Sequence, residues 1–247
     1  MFKDASLDTV EKVLAAKNNC ADLSRQDFYG FNLSGLDLNQ MRLSQAILIR
    51  VNFSAAQLAE AELSFADLRG ADLSRAVLTR AKLKGACLYR ANLNGANLMG
   101  ADLTEAQLQG ARYDSDTIFP EGFSYQSSGA IGPKANLNGA ALNTANLHQA
   151  DLRGANLLGA YLGGTNLAEA NLQGARLVQA DLRGATLTGA SLRQARINGT
   201  NLAGADFRAT DLTDASFEQF ESIAGADFTL AQGLSAAMRA CLLSQPA

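Results

Sequence analysis

One histidine, three cysteines and a regular series of Asp and Asn residues are the side chains in this sequence with chemistry to offer. His148 follows Leu147 and has no second imidazole anywhere in the chain. A metal centre needs three or four converging ligands, so no metal site is expected. Cys20, Cys87 and Cys241 are odd in number and far apart. That argues against a disulfide framework and fits a reducing, cytoplasmic compartment. Cys87, next to Ala86, reads as an outward surface thiol, since reactivity would require a lowered pKa. Asp67, Asp72, Asn92, Asn97 and Asp102 share one repeating position. General acid–base catalysis needs a cleft that shifts pKa values. Short polar side chains recurring every five residues read instead as turn formers that bond the nearby backbone. No G-x-x-x-x-G-K-[ST] phosphate loop occurs, and the 22 glycines mostly end repeats, as Gly70, Gly95, Gly154 and Gly184 do. No catalytic residue and no cofactor are expected.

The element that must carry these residues is set by the stretch from Ala61 to Ala111, AELSF ADLRG ADLSR AVLTR AKLKG ACLYR ANLNG ANLMG ADLTE AQLQG A. Every fifth residue is Ala, with Leu two residues later. A helix repeats every 3.6 residues, so a five-residue spacing would smear round its cylinder. Strand-like alternation lasts only from Ala to Leu before small or polar residues intervene. A short strand followed by a corner, repeated until the corners coil, satisfies the pattern.

The tandem A-(D/N)-L-x-x pattern resembles the pentapeptide repeat proteins, over nearly all of residues 21–217. The resemblance implies an all-β solenoid, a right-handed quadrilateral β-helix in which four repeats make one 20-residue coil. The family's best-known activity is inhibition or protection of DNA gyrase, in which an acidic rod resembles duplex DNA.

Along the chain, residues 1–20 do not repeat. Leu7, Val10 and Leu14 recur at helical spacing, Ser6 can cap, and Asp8 and Glu11 lie near the positive end, so a short amphipathic capping helix is expected at about 6–17. A cap is needed because a solenoid's first coil exposes an unpaired edge. Residues 21–113 form a first block of 19 centres, of which 16 are Leu and the others Phe28, Phe53 and Tyr113. The small position is Ala in 14 of these; Gln26, Phe31, Leu36, Met41 and Val51 are the exceptions. Phe31, Leu36 and Met41 are expected to meet the capping helix.

Residues 114–134 lose the phase and hold two of the three prolines, Pro120 and Pro133. Ile118 and Phe123 still fall on the old phase, but the segment as a whole reads as a projecting loop, an excursion at about 119–134, long enough to suggest a role. The second block, 135–219, has 17 centres, 14 of them Leu and the others Ile197, Phe207 and Phe217; its small positions are Ala except Thr165, Thr200 and Thr210. At four centres per turn the two blocks make about nine coils, a rod on the order of 45 Å long. In residues 220–247, Ala226-Asp227-Phe228 is a last repeat offset by one residue, and AAMRACLL after Gly233 and Ser235 reads as a C-terminal capping helix.

Charge limits the partners. The formal net charge is −3, from 21 basic and 24 acidic residues, and no signal-like or membrane-length apolar run is present. Neither nucleic acid nor membrane is expected, and a monomer is favoured over a homodimer. Residues 21–113 carry 10 basic and 9 acidic residues, and one side of that block sums to zero, so DNA mimicry is disfavoured. The reading is a non-enzymatic binding or scaffolding solenoid with an unidentified protein partner. Tyr29, Ile47, Ile49, Cys87 and Tyr89 point outward together, with Arg50, Arg69 and Arg90 among them, and aromatic and Arg side chains are enriched at contacts. Ile118, Phe119, Phe123 and Tyr125 of the loop are expected to add to that surface.

Overall fold

The computed structural model describes residues 7–216, 219–236 and 239–240. Backbone contacts divide the chain into two compact units, Met1–Ile131 and Gly132–Ala247. The expected centre Phe217 and most of the expected C-terminal helix, with Met238, Leu242 and Leu243, lie outside the described residues.

In each unit the five-residue pattern becomes a parallel β-helix. Asp22 pairs with Arg42, Asp27 with Ile47, Asn32 with Asn52 and Asp37 with Gln57, and most later rungs repeat the 20-residue step. Four short strands therefore make one coil, one on each of four sides. Ala and Leu point inward and are almost all buried; Leu98 and Leu167 are wholly inaccessible. Ala is needed because a coil this narrow has no room for two large residues per repeat. The corners are four-residue turns in which the amide after the corner donates to the preceding Leu carbonyl, as Ala76 N donates to Leu73 O at 3.1 Å. The third residue of each turn has positive φ, 56° at Arg75 and 66° at Gly95, the geometry of a type II turn. Glycine holds that position without a steric penalty, whereas Arg75 occupies it against one of roughly 1–2 kcal/mol.

The Asp and Asn position does the turn chemistry read from the sequence. Asp72 Oδ1 accepts from the Ser74 amide at 3.0 Å and Asn97 Oδ1 from the Met99 amide at 3.0 Å, and the same bond recurs along both units. The three buried threonines donate to carbonyls at 2.7 Å: Thr165 to Leu142, Thr200 to Ile197 and Thr210 to Phe207. Among the described residues no buried side-chain polar atom lacks a partner.

Helix α1 spans Leu7–Asn18, close to the expected range. Its Val13 is buried, Val10 and Leu14 are half-buried, and Lys17 Nζ forms an ion pair with Asp37 of the first coil. Of the bulky residues in that coil, Met41 is buried while Phe31 and Leu36 are half-buried; Phe31 meets Phe28 edge to face at 5.5 Å. In the second unit the step lengthens to 21 residues near the end, with Asp206 pairing Asp227 and Asp211 pairing Gln232, and β1 (Thr200–Asn201) pairs β2 (Phe220–Ser222) in parallel. The one-residue offset of Ala226-Asp227-Phe228 is thus absorbed without losing the ladder.

The segment 114–134 departs from the expected projecting loop. Ile118 stays in the ladder, paired with Asn97 across a 21-residue step, and Ile131 pairs with Arg112 across 19. Thr117 Oγ1 donates to the Leu93 carbonyl at 2.9 Å, and Gly129 O accepts from the Gly110 amide at 2.9 Å. Residues 119–128, with a 3-10 turn at Tyr125–Ser127, are the only part between these rungs. From Tyr113 to Ile131 the chain completes a turn, shortened and irregular, rather than leaving the coil.

Candidate interaction surface

The shortened turn is closed by aromatic packing. Phe119 stacks on Tyr125 at 4.6 Å and on Phe123 at 5.8 Å, and both Phe119 and Tyr125 meet the buried Tyr113 edge to face, at 5.4 and 5.5 Å. The ladder accounts for Phe119: Asn97 pairs with Ile118, so Phe119 follows the inward Leu98. Residues 119–130 stand where two ordinary sides of the coil would carry the rungs after Asp102 and Gln107, and rings pack there in place of Ala and Leu. Phe119, Phe123 and Tyr125 are consequently half-buried.

The outward residues expected on one surface do share one. Asp27, Ile47, Asp67, Cys87 and Gln107 form a single ladder. Tyr29, Ile49, Arg69 and Tyr89 stand two residues further along each strand, as the Gly70 amide bonded to Tyr89 O and the Gly30 amide bonded to Ile49 O fix. Tyr29, Ile47 and Tyr89 are 48%, 40% and 41% exposed, and Ile49 is half-buried. Arg69 makes a bidentate pair with Asp67, 2.6 Å from Nη2 to Oδ2, which holds that carboxyl below the usual carboxylate range. Arg90 lies over the Tyr89 ring, its guanidinium carbon 5.0 Å from the centroid. Ile118, although 48% exposed, belongs to the ladder of Asp37, Gln57, Val77 and Asn97, two sides away and hence opposite. The structure thus separates the eight expected residues into an outward set of four, a half-buried aromatic cluster of three, and Ile118 alone. Register arithmetic across the interruption, with steps of 21 and then 19 residues, was the signal that sequence reading did not have.

Other side chains have local roles. His148 Nδ1 lies 2.9 Å from the Ala168 carbonyl; a carbonyl can only accept, so Nδ1 carries the proton. Among the described residues no group of three or more His, Cys, Asp or Glu could hold a metal ion, and no helix is long and apolar enough to cross a membrane. The neighbouring side of the first unit alternates in charge up its ladder, Asp22, Arg42, Glu62, Lys82, Asp102, with Lys82 Nζ 2.8 Å from Glu62 Oε1.

Four strands per coil, an Ala–Leu interior and type II corners define a solenoid of five-residue repeats. The family of Pentapeptide repeats matches in eight overlapping copies, from 27–62 through 88–112 and from 134–167 through 190–219. The chain belongs to the pentapeptide repeat family, whose members fold as right-handed quadrilateral β-helices. Among solved structures it is similar to HetL, a pentapeptide repeat protein involved in heterocyst differentiation regulation from Nostoc sp. strain PCC 7120. That match has 29% identity, covering 85% of this chain and 84% of that one, with a TM-score of 0.32. It is similar to Rfr23 from Cyanothece 51142, at 39% identity over 40% of this chain and 64% of that one, TM-score 0.24. QnrB1, a plasmid-mediated fluoroquinolone resistance protein, matches at 19% identity over 88% and 96%, TM-score 0.34. No curated protein sequence matches the chain.

Proposed function

We propose that this chain is a non-enzymatic, cytoplasmic protein-binding or scaffolding solenoid, monomeric, whose contact surface is the side carrying Tyr29, Ile47, Ile49 and Tyr89. The observation that carries the reading is the concentration of exposed apolar residues there, beside Arg50 and Arg90, which have no ion pair among the described residues. Exposed aromatic and Arg side chains clustered on a rigid surface are what binding hot spots are made of. Pentapeptide repeat scaffolds are generally non-enzymatic. Helix α1 acts as the N-terminal cap of the first unit, tied down by Lys17 and Asp37, and the repeats of the two units amount to about nine coils. Ile118 lies opposite the surface, and Phe119, Phe123 and Tyr125 serve the interior of the shortened turn, so none of the four belongs to it.

The reading is tested by comparing wild-type protein with Tyr29→Ser/Tyr89→Ser as bait in extract of the native host, with a thermal melt of each. Loss of a stoichiometric partner at an unchanged melting temperature is expected; an unchanged partner set would move the surface elsewhere. The alternative, a DNA-mimicking inhibitor or protector of gyrase, requires a continuous negative stripe. The alternation from Asp22 to Asp102 is the opposite arrangement. Purified gyrase should therefore supercoil normally with micromolar protein present, and stoichiometric inhibition would replace the scaffold reading with mimicry.

A further inference from the structure

Among the described residues, charged neighbours along a ladder are mostly of opposite sign or share a counter-ion. In one ladder of the first unit acid and base alternate from Asp22 to Asp102. In the second, the acidic neighbours Asp206 and Asp227 share Arg208, at 2.7 and 3.8 Å. Arg69, Arg153, Arg183 and Arg208 each grip the Asp two residues before them. Among the described residues one ladder pair has like charges and no shared counter-ion. Arg176 and Arg196 are direct ladder neighbours, fixed by the Leu177 amide on Arg196 O at 2.7 Å and the Arg196 amide on Ala175 O at 2.9 Å. Both are exposed, and neither has an ion pair among the described residues.

Their whole side of the second unit lacks a carboxylate among the described residues. The ladder reads Asn136, Asn156, Arg176, Arg196, Ser216, and the row two residues on reads Asn138, Leu158, Val178, Asn198. Leu158 and Val178 are half-buried, and Asn198 Nδ2 is engaged with Ser216 Oγ at 2.8 Å. Like charges directly opposite in a ladder are destabilising, and a single Glu for Arg at either position would relieve the repulsion. Two arginines on adjacent strands, whose backbones lie about 4.8 Å apart, can bring both guanidiniums to one carboxylate. The apolar row beside them suits the side chain next to that carboxylate.

We propose that the Arg176–Arg196 side is a docking surface for an acidic segment of a protein partner, with a Glu or Asp clasped by the two arginines and an apolar neighbour laid on Leu158 and Val178. A polypeptide is favoured over nucleic acid because the positive surface is two residues wide and the whole chain carries a net charge of −3. This surface lies on a different unit from the Tyr29–Tyr89 side, so the two readings fail separately.

The test uses a fluorescein-labelled peptide of mixed Glu and Leu, its Gln analogue, and short duplex DNA, titrated against the full chain by fluorescence anisotropy at low salt. The Glu peptide is expected to bind, the Gln peptide and the DNA to bind weakly or not at all. Arg176→Gln/Arg196→Gln should weaken the Glu peptide about fivefold or more, while Tyr29→Ser/Tyr89→Ser should leave its affinity unchanged. Arg196→Glu, which restores an alternating ladder, should abolish binding and raise the melting temperature by about 1–2 °C. No binding of the Glu peptide at millimolar concentration, equal affinity for the Gln peptide or the DNA, an unchanged affinity in the double variant, or no rise in melting temperature for Arg196→Glu would each overturn the proposal.

Discussion

The Phe65 ring lies over Gly85, one coil on, so closely that a Cβ at Gly85 would fall 2.5 Å from the ring's Cδ1 and Cε1. The same relation holds in milder form where Arg50 crosses Gly70, Arg75 crosses Gly95 and Arg80 crosses Gly100, with 3.4–3.6 Å from the would-be Cβ to the Arg Cγ. Corner side chains therefore lean along the coil axis onto the next corner. At some corners where the next residue is not glycine it is a hydrogen-bonding partner: Arg25 Nε donates to Gln45 Oε1 at 2.8 Å, and Gln149 Nε2 to Glu169 Oε2 at 2.8 Å.

Gly85→Ala should accordingly lose stability twice over, through the positive φ of 64° and through displacement of the Phe65 ring. The first effect is about 1 kcal/mol. The second disappears when the ring does, so Gly85→Ala should cost about 0.5–1 kcal/mol less in a Phe65→Ser background. Chemical denaturation of the four proteins measures that coupling; additive effects would mean the ring swings away without loss.

Inward and outward positions should differ sharply within one repeat. Leu98 is wholly buried, and Leu98→Ala should cost about 2–5 kcal/mol. Asn97, its neighbour, contributes one hydrogen bond to the Met99 amide at 3.0 Å, which a serine hydroxyl can replace. Asn97→Ser should therefore cost under about 1 kcal/mol. Comparable losses at the two positions would contradict the assignment of sides.

The sequence carried the coil because the fold is local in one respect: each five-residue unit states its own inward pair, its turn residue and its corner. The Ala–Leu positions, the Asp and Asn turn bonds and the offset of Asp227 could all be read without coordinates. Residues 114–134 could not, because their register depends on which earlier rung each amide finds. Steps of 21 and 19 residues keep Ile118 and Ile131 in the ladder and set Phe119 after the inward Leu98, whereas the lost phase alone suggested a loop. Ladder charge was half legible: spacing by twenty showed the cancellation in the first unit, and the same count in the second places Arg176 beside Arg196.

Acid should find the Asp–Arg clasps. The Arg208 guanidinium, then the Arg208 amide and the Thr188 hydroxyl, hold Asp206 well below its ordinary value of 3.8; Arg69 and Arg183 lower Asp67 and Asp181 in the same direction. A depressed folded pKa means the unfolded chain takes up the proton first. The contribution is thus complete above about pH 4 and is lost as pH falls from there through the folded values. Stability measured from pH 7 to pH 2 should hold down to about pH 4 and then decline, and Asp181→Asn/Asp206→Asn should flatten the decline. An acid limb of equal slope in the double variant would show that other carboxylates govern it. These pairs are largely exposed, so high salt should shrink the effect.

The shortened turn should be a matter of stability rather than of recognition. Phe119 stands at the junction of the cluster, touching Tyr113, Phe123 and Tyr125. Aromatic pairs of this geometry contribute about 0.5–1.5 kcal/mol each beyond the area they bury. Phe119→Ala removes three such contacts and leaves a space against the buried Tyr113, so a loss of about 2–4 kcal/mol is expected, at the lower end of full core truncation because the ring is only half-buried. Phe119→Leu refills part of the volume and should recover about half of that loss. Ile118→Ser, exposed on the opposite side from Tyr29, should change stability by less than about 1 kcal/mol. The measurements are denaturant midpoints for the three variants, with partner capture by each while folded. A small effect of Phe119→Ala on stability, together with lost capture by the folded variant, would return the aromatic cluster to the binding surface.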